Sequence, residues 1–282
     1  MKIAQLTLAL EFLQNNYFKN VKSVIDMGTK SLRVKYDDLE FLFKQSQIKF
    51  DKKKFSFLKK FPKGDRRSTK LFWNNIGISD YNCLDINKEK GSIYADLNFP
   101  FNDKKHFSKY NLVCDFGNNE HVFNVGEAYK TMYNLCSIDG YIWVTQSVYG
   151  GNGFFNFDLS FFENYAAANN LSILHSAYLI NLKDYEQFMI PANKSLLSII
   201  NLNKVTNIDI TYIFKKTSNK NFNFGYQYNM QVKDHYNILF YNNNYPPEKL
   251  YLQSKSLTKI KNLARKGDKN SINWCRDLNI KF

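Results

Sequence analysis

The sequence predicts a doubly wound α/β fold on a seven-stranded, mostly parallel sheet whose last strand runs antiparallel. Two observations carry this expectation. First, apolar runs rich in β-formers alternate with helical periodicities between about residues 20 and 216, the pattern of βαβ units. Second, four successive runs each lead to an acidic residue: SVIDMG at 23–28, CLDIN at 83–87, ADLNFPF at 95–101 and YNLVCDFGNNEHVFN at 110–124. Acidic groups at the carboxyl ends of parallel strands line the crevice where such sheets hold nucleotide-like ligands. A carboxylate there accepts the hydroxyls of a ribose or the exocyclic amine of an adenine, so the chain is expected to hold an adenosine.

The elements follow in order. Ile3, Leu6, Leu10, Leu13 and Phe18 lie on one helical face, which predicts an amphipathic helix over 3–18. Val21–Met27 reads as the first strand, with Gly28 supplying the turn. About 55 residues separate Gly28 from Cys83, room for a helix near Tyr36–Gln47 and a basic insert at 44–70. Tyr81–Ile86, Gly91–Leu97 and Tyr110–Phe116 are the next three strands. A helix from about Val125 to Ser137 ends before an Asp139-Gly140 turn, and Tyr141–Val148 is the fifth strand. The run Tyr149-Gly150-Gly151-Asn152-Gly153 reads as a mobile loop by composition. Asp158 is placed to cap a helix through Asn169. Leu171–Leu179 and Asn207–Lys215 complete the sheet. Beyond Thr217 the pattern is less regular, with a break at Tyr245-Pro246-Pro247 before a basic helix at about 248–266.

Composition narrows the class. At 44% hydrophobic and 17% aromatic the chain is globular, and no apolar run approaches a membrane span. The opening has no small-residue cleavage site and is read as a helix rather than a signal peptide. Cys83, Cys114, Cys136 and Cys275 are widely spaced, without a CxxC pair, which fits a reducing cytoplasm. The net charge of +14 is uneven. Residues 44–70 hold eleven Lys/Arg against Asp51 and Asp65, a net of +9; residues 249–282 hold nine against Asp268 and Asp277, a net of +7. Such segments are either solvated faces or attractors of an anionic partner: a phosphorylated or nucleotide-linked substrate, nucleic acid, or an anionic membrane surface.

With these residues in place, the chain resembles a class I S-adenosylmethionine-dependent methyltransferase over roughly residues 20–216. It is most similar to the branch found among surface-carbohydrate and other small-molecule methyltransferases. The segments that carry the resemblance are Asp26-Met27-Gly28, CLDIN, ADLNFP, NLVCDFGNNEHVFN, and GGNGFFNF followed by a helix and AAANN. The resemblance implies a Rossmann-like methyltransferase domain at 1–216, with an insert at about 37–75, and a basic C-terminal extension at 217–282. It implies S-adenosyl-L-methionine as cofactor and S-adenosyl-L-homocysteine as product. Its implied activity is O-methylation of a small or nucleotide-linked acceptor in surface polysaccharide (capsule) biosynthesis. The family's first loop carries two or three glycines; here Gly28 is followed by Thr29, Lys30 and Ser31.

The resemblance assigns cofactor contacts to Asp26, Gly28, Asp85, Asp96 and Asp115, with Asp85 on the ribose and Asp96 near the adenine amine. Each Asp has a plainer alternative, as a turn residue or helix cap. His121 is the candidate general base and Glu120 its partner or a contact to the cofactor's amino group. A free imidazole titrates at ~6.5, suited to taking a hydroxyl proton; otherwise His121 only packs the loop. Tyr149, Asn152 and Asn156 flank the expected acceptor side. No metal is expected, because a metal needs three or four converging ligands. A nucleic-acid methyltransferase, a cofactor-binding module without catalysis, and a peripheral membrane enzyme are the alternatives, although no NPPY- or DPPY-like motif follows the fourth strand.

Overall fold

The computed structural model describes residues 1–62, 64–88, 91–182, 187–192, 202, 205–226, 239–240, 261–269, 272 and 275–276. Its centre is one mixed sheet of nine strands: β1 (Ser23–Met27), β2 (Asp80–Asp85), β3 (Ile93–Tyr94), β4 (Tyr110–Phe116), β5 (Cys136–Tyr149), β6 (Leu171–Leu182), β7 (Gln187–Pro191), β8 (Val205–Lys216) and β9 (Leu239–Phe240). The spatial order is β3-β2-β1-β4-β5-β8-β6-β7, with β9 beside β6. Strands β3, β2, β1, β4 and β5 pair in parallel, and β8 runs antiparallel between β5 and β6. The α/β class and the antiparallel last long strand thus follow the sequence expectation. The sheet is larger than the expected seven strands because β7 and β9 extend its far side.

Strand alternation sends successive side chains to opposite faces. Val24, Leu112, Cys114 and Trp143 join one buried cluster with α1 (Ile3–Gln14), α2 (Tyr36–Gln45) and α4 (Arg67–Asn75). Ile25, Met27, Val113, Ile142 and Val144 join the other with α5 (Val125–Leu135) and α6 (Leu159–Ala168). The molecule is therefore a three-layer α/β/α sandwich.

Three elements differ from the sequence reading. Helix α1 stops at Gln14 and is not amphipathic: every residue from Ala4 to Phe12 is buried, Gln5, Thr7 and Glu11 included, because the helix packs against both α2 and strand β7. Strand β3 has only two residues, since Asp96 Oδ1 accepts from Asn98 N and Nδ2 and turns the chain. Strand β5 starts at Cys136, because Asp139 (φ 57°) makes a bulge within it rather than a turn before it.

The basic insert is both charged and folded. Phe55 and Phe57, with Phe72 and Trp73 of the adjoining α4, enter the helical-layer core, and the insert's described lysines stay outside. The short helix α3 (Phe57–Lys60) lies within it. From the C-terminal extension, Ala264 and Cys275 are buried in the α5–α6 cluster. The predicted helix over 248–266 falls largely outside the described residues; 261–265 are helical. No described helix is long and apolar enough to cross a membrane.

Candidate functional site

The strand order reverses between β1 and β4, so the crossovers leave the sheet in opposite directions there and open a crevice at the carboxyl ends. Asp26, Asp85 and Asp115 sit at those ends. Asp26 is fully buried; its Oδ2 accepts from Tyr81 OH at 2.8 Å, and its Oδ1 has no hydrogen-bond partner among the described residues. Burial raises its pKa to about 6 despite the Tyr81 bond. Asp115, also fully buried, accepts from Asn118 N (2.8 Å), Asn119 N (3.2 Å) and Gln146 Nε2. Burial again dominates and raises its pKa to about 7, against the pull of Lys30.

Gly28 is required by geometry. Its φ is +77°, and a Cβ there would lie 2.5 Å from Asn118 Oδ1. Asn118 from the β4 loop thus lies against the β1 turn. Lys30 crosses the same gap and donates from Nζ to the Gly117 carbonyl at 3.4 Å. Burial lowers the Lys30 pKa, opposed by Asp115, Asp26 and Glu120.

Asp85 is saturated by the protein. Its Oδ2 accepts from Thr29 N (2.9 Å) and Thr29 Oγ1 (2.5 Å), and its Oδ1 from Asn87 N (2.8 Å) and Asn87 Nδ2 (3.0 Å). These bonds hold its pKa below the usual carboxylate range, against burial. Next to it Ile86 is 52% exposed, and beyond Asp96 Phe99 is 65% exposed. Exposed apolar groups beside strand-end carboxylates fit the flat face and polar edge of an adenosine.

A cleft of about 860 Å³ opens beside this crevice. Thr29, Lys30, Gly117, Glu120, His121 and Asn152 are among its walls. Glu120 is held hard: its Oε2 accepts from Ser147 N at 2.7 Å, and its own N–H donates to Gln146 Oε1 at 3.2 Å. Oε1 lies 3.6 Å from His121 Nε2, too long for a hydrogen bond and close enough to orient the ring electrostatically. The His121 side chain is 45% exposed.

The segment after β5 is tied down rather than loose as its composition implied. Phe154 N donates to the Glu120 carbonyl at 2.7 Å, and a Cβ on Gly153 would lie 2.5 Å from that same oxygen. Gly153→Ala is therefore expected to destabilise the protein by about 1–3 kcal/mol, because backbone must move on one side or the other. Urea unfolding measures this; an unchanged midpoint would mean the contact has slack.

The structure brings Glu120, His121 and Asn152 to one cleft and places Asp26 and Asp115 at the β1 and β4 ends of the adjoining crevice. Asp85 and Asp96 do not line that cleft. Asn156 accepts from Ser147 Oγ (3.0 Å) and so serves the loop, while Tyr149 is surface-exposed and outside the cleft lining. Sequence reasoning missed Gln146, Asn118, Lys30, Arg33 and Arg66. Gln146 alone left a signal, as an amide inside the apolar β5 run. No group of three or more metal-ligating side chains converges among the described residues.

No known protein-family model matches the chain, and no curated protein matches it. Solved structures similar to it include TehB from Haemophilus influenzae, at 11% identity and TM-score 0.40, covering 73% of this chain and 61% of that one. Another is the 1,6-didemethyltoxoflavin-N1-methyltransferase of Burkholderia thailandensis, at 9% identity and TM-score 0.38, covering 76% and 79%. A third is a SAM-dependent methyltransferase from Archaeoglobus fulgidus, at 14% identity and TM-score 0.38, covering 75% and 94%. The chain thus spans less than two thirds of the length of TehB.

Proposed function

We propose that the chain is an S-adenosylmethionine-dependent methyltransferase acting on an oxygen of a small acceptor. The observation that supports this most is the reversal of strand order at β1/β4, with Asp26, Asp85 and Asp115 at the strand ends around it. In this reading Asp85 and Asp96 serve the adenosyl end, with Ile86 and Phe99 against the ring. S-adenosylmethionine supplies, when bound, a sulfonium methyl open to in-line displacement. Glu120 orients His121, and His121 takes the acceptor's proton. The β5–α6 loop, fixed to Glu120, walls the cleft and excludes water. Residues 1–216 form the catalytic unit and 217–282 an extension that shares its core. The further step to an acceptor of surface polysaccharide synthesis rests on the sequence resemblance.

A second reading, a cofactor-binding module without turnover, is favoured by the saturation of Asp85 and by Lys30 and Asn118 crossing the first loop. Titrating the protein with S-adenosylhomocysteine by calorimetry tests the cofactor, and an acceptor assay separates the two readings. Asp85→Ala removes charge-assisted bonds worth about 1.5–3 kcal/mol each, so affinity is expected to fall on the order of 10–100-fold. A dissociation constant unchanged in that variant would remove Asp85 from the site.

A further inference from the structure

We propose that Gln146 is a positioning residue of the candidate site: its side-chain amide clamps the 118–121 turn to the end of β4 and so fixes Glu120 and His121 at the cleft. That His121 then acts on an acceptor rests on the reading above; the clamp itself does not.

Gln146 is wholly buried in β5, a strand paired with β4 on one side and β8 on the other. Its amide is used at both ends. Nε2 donates to Asp115 Oδ2, and Oε1 accepts from Glu120 N at 3.2 Å. Asp115 in turn accepts from Asn118 N at 2.8 Å and Asn119 N at 3.2 Å. Three successive amides of the turn therefore end on two buried side chains that also bond each other. The next residue of β5 adds to the hold, because Ser147 N donates to Glu120 Oε2 at 2.7 Å. Glu120 Oε1 then lies 3.6 Å from His121 Nε2, and Glu120 and His121 both line the cleft. Gln146 thus ties the carboxylate at the end of β4 to the residue that faces the His121 ring.

The chemistry of the clamp calls for an amide. A carboxylate on one side needs a donor, and a backbone N–H on the other needs an acceptor. A neutral side-chain amide offers both without adding charge. Leucine is of similar size and offers neither, so Asp115 and Glu120 N each lose a partner in a buried place. Glutamate has the shape of glutamine, but when ionised it only accepts. When protonated it donates to Asp115 again, and its carbonyl oxygen accepts from Glu120 N. Two carboxyls in contact resist ionising together, so low pH keeps a proton between them. The other titratable groups facing Asp115 are Lys30 from the loop after β1, Glu120 of the turn, Tyr129 of α5 and Cys114 on β4. Lys30 favours the ionised pair and Glu120 opposes it. Burial raises the Asp115 pKa to about 7, so the pair keeps its proton at pH 5.

The test is NMR of the full chain with its four histidine rings labelled with nitrogen-15. The His121 signal is the one missing from His121→Gln. In Gln146→Leu that signal is expected to move in the direction it takes in Glu120→Gln, while those of His106 and His175 stay in place. In Gln146→Glu at pH 5 it is expected at the parent position. It should depart from the parent, compared at equal pH, as the shared proton is lost on raising the pH. Hydrogen exchange gives the size of the effect. The amides of 118–121 are expected to exchange on the order of tenfold faster in Gln146→Leu, the effect of about one lost hydrogen bond, with the β4 amides unchanged. An unmoved His121 signal in Gln146→Leu overturns the proposal. Faster exchange spread evenly through β4 also overturns it, by making Gln146 a residue of general stability. If Gln146→Leu does not fold, Gln146→Glu decides, and a His121 signal displaced at pH 5 sinks the clamp. Calorimetric titration of the parent with S-adenosylhomocysteine keeps the two readings apart. A parent that binds none of it defeats the methyl-transfer reading, while a His121 signal that follows Gln146 still upholds the clamp.

Discussion

His121→Gln is expected to slow single-turnover methyl transfer by roughly 10²–10⁴-fold, with cofactor affinity nearly unchanged. The loop that carries His121 does not depend on its ring. Asp115 holds the loop through the Asn118 and Asn119 amides, and His121 N itself donates to the Asn118 carbonyl at 2.9 Å. His121 lines the cleft with Glu120 Oε1 3.6 Å from its Nε2. A glutamine side chain can still hydrogen-bond there but cannot take the proton. Rates measured across pH decide the matter. With His121 as base, the parent rate depends on pH in a way that the variant's does not. A rate independent of pH in the parent, and preserved in His121→Gln, would leave alignment alone as the source of catalysis and His121 as a loop residue.

The parts legible in the sequence are those set by local pattern. The continuous apolar run YNLVCDF gave β4 its observed bounds, Tyr110–Phe116, because a strand buried on both faces needs no partner information to be recognised. Asp158 as a cap was legible for the same reason: its side chain accepts from Ser160 N, two residues on. What could not be read depends on residues distant in the chain. Asn118 meeting Gly28 follows from the pairing of β1 with β4, and Thr29 meeting Asp85 from the pairing of β1 with β2. Helix α1 misled because periodicity reports only the strongest apolar face. In a helix covered on both sides polar residues are buried too, and Thr7 Oγ1 there donates to the Ile3 carbonyl at 2.9 Å. The basic insert misled by its charge: its lysines drew attention, while Phe55, Phe72 and Trp73 were building the core.

Asp26→Asn is expected to stabilise the protein at pH 8 relative to the parent and to make no difference near pH 4. The folded-state pKa of Asp26 is raised by burial from 3.8 to about 6. A raised carboxyl holds its proton longer in the folded state, so the stability it contributes is full below the unfolded pKa. That stability is lost as pH rises through the folded value and is constant above it. The span between the two values corresponds to roughly 3 kcal/mol. Asn keeps an oxygen for the Tyr81 hydroxyl and has no charge to bury. Asp115 changes stability in the same direction with a pKa of about 7, and Lys30, whose pKa burial lowers, faces both carboxylates. The difference between parent and variant, taken from urea unfolding at each pH from 4 to 8, isolates Asp26 from these neighbours. A constant difference across that range would show that Asp26 ionises in the folded state as it does in the unfolded chain. A buried carboxylate that weakens the fold at neutral pH is characteristic of a functional site. If Asp26 serves the cofactor, Asp26→Asn gains stability and loses affinity for S-adenosylhomocysteine together. If it gains stability and keeps that affinity, Asp26 only anchors Tyr81, and cofactor recognition rests with Asp85 and Asp96.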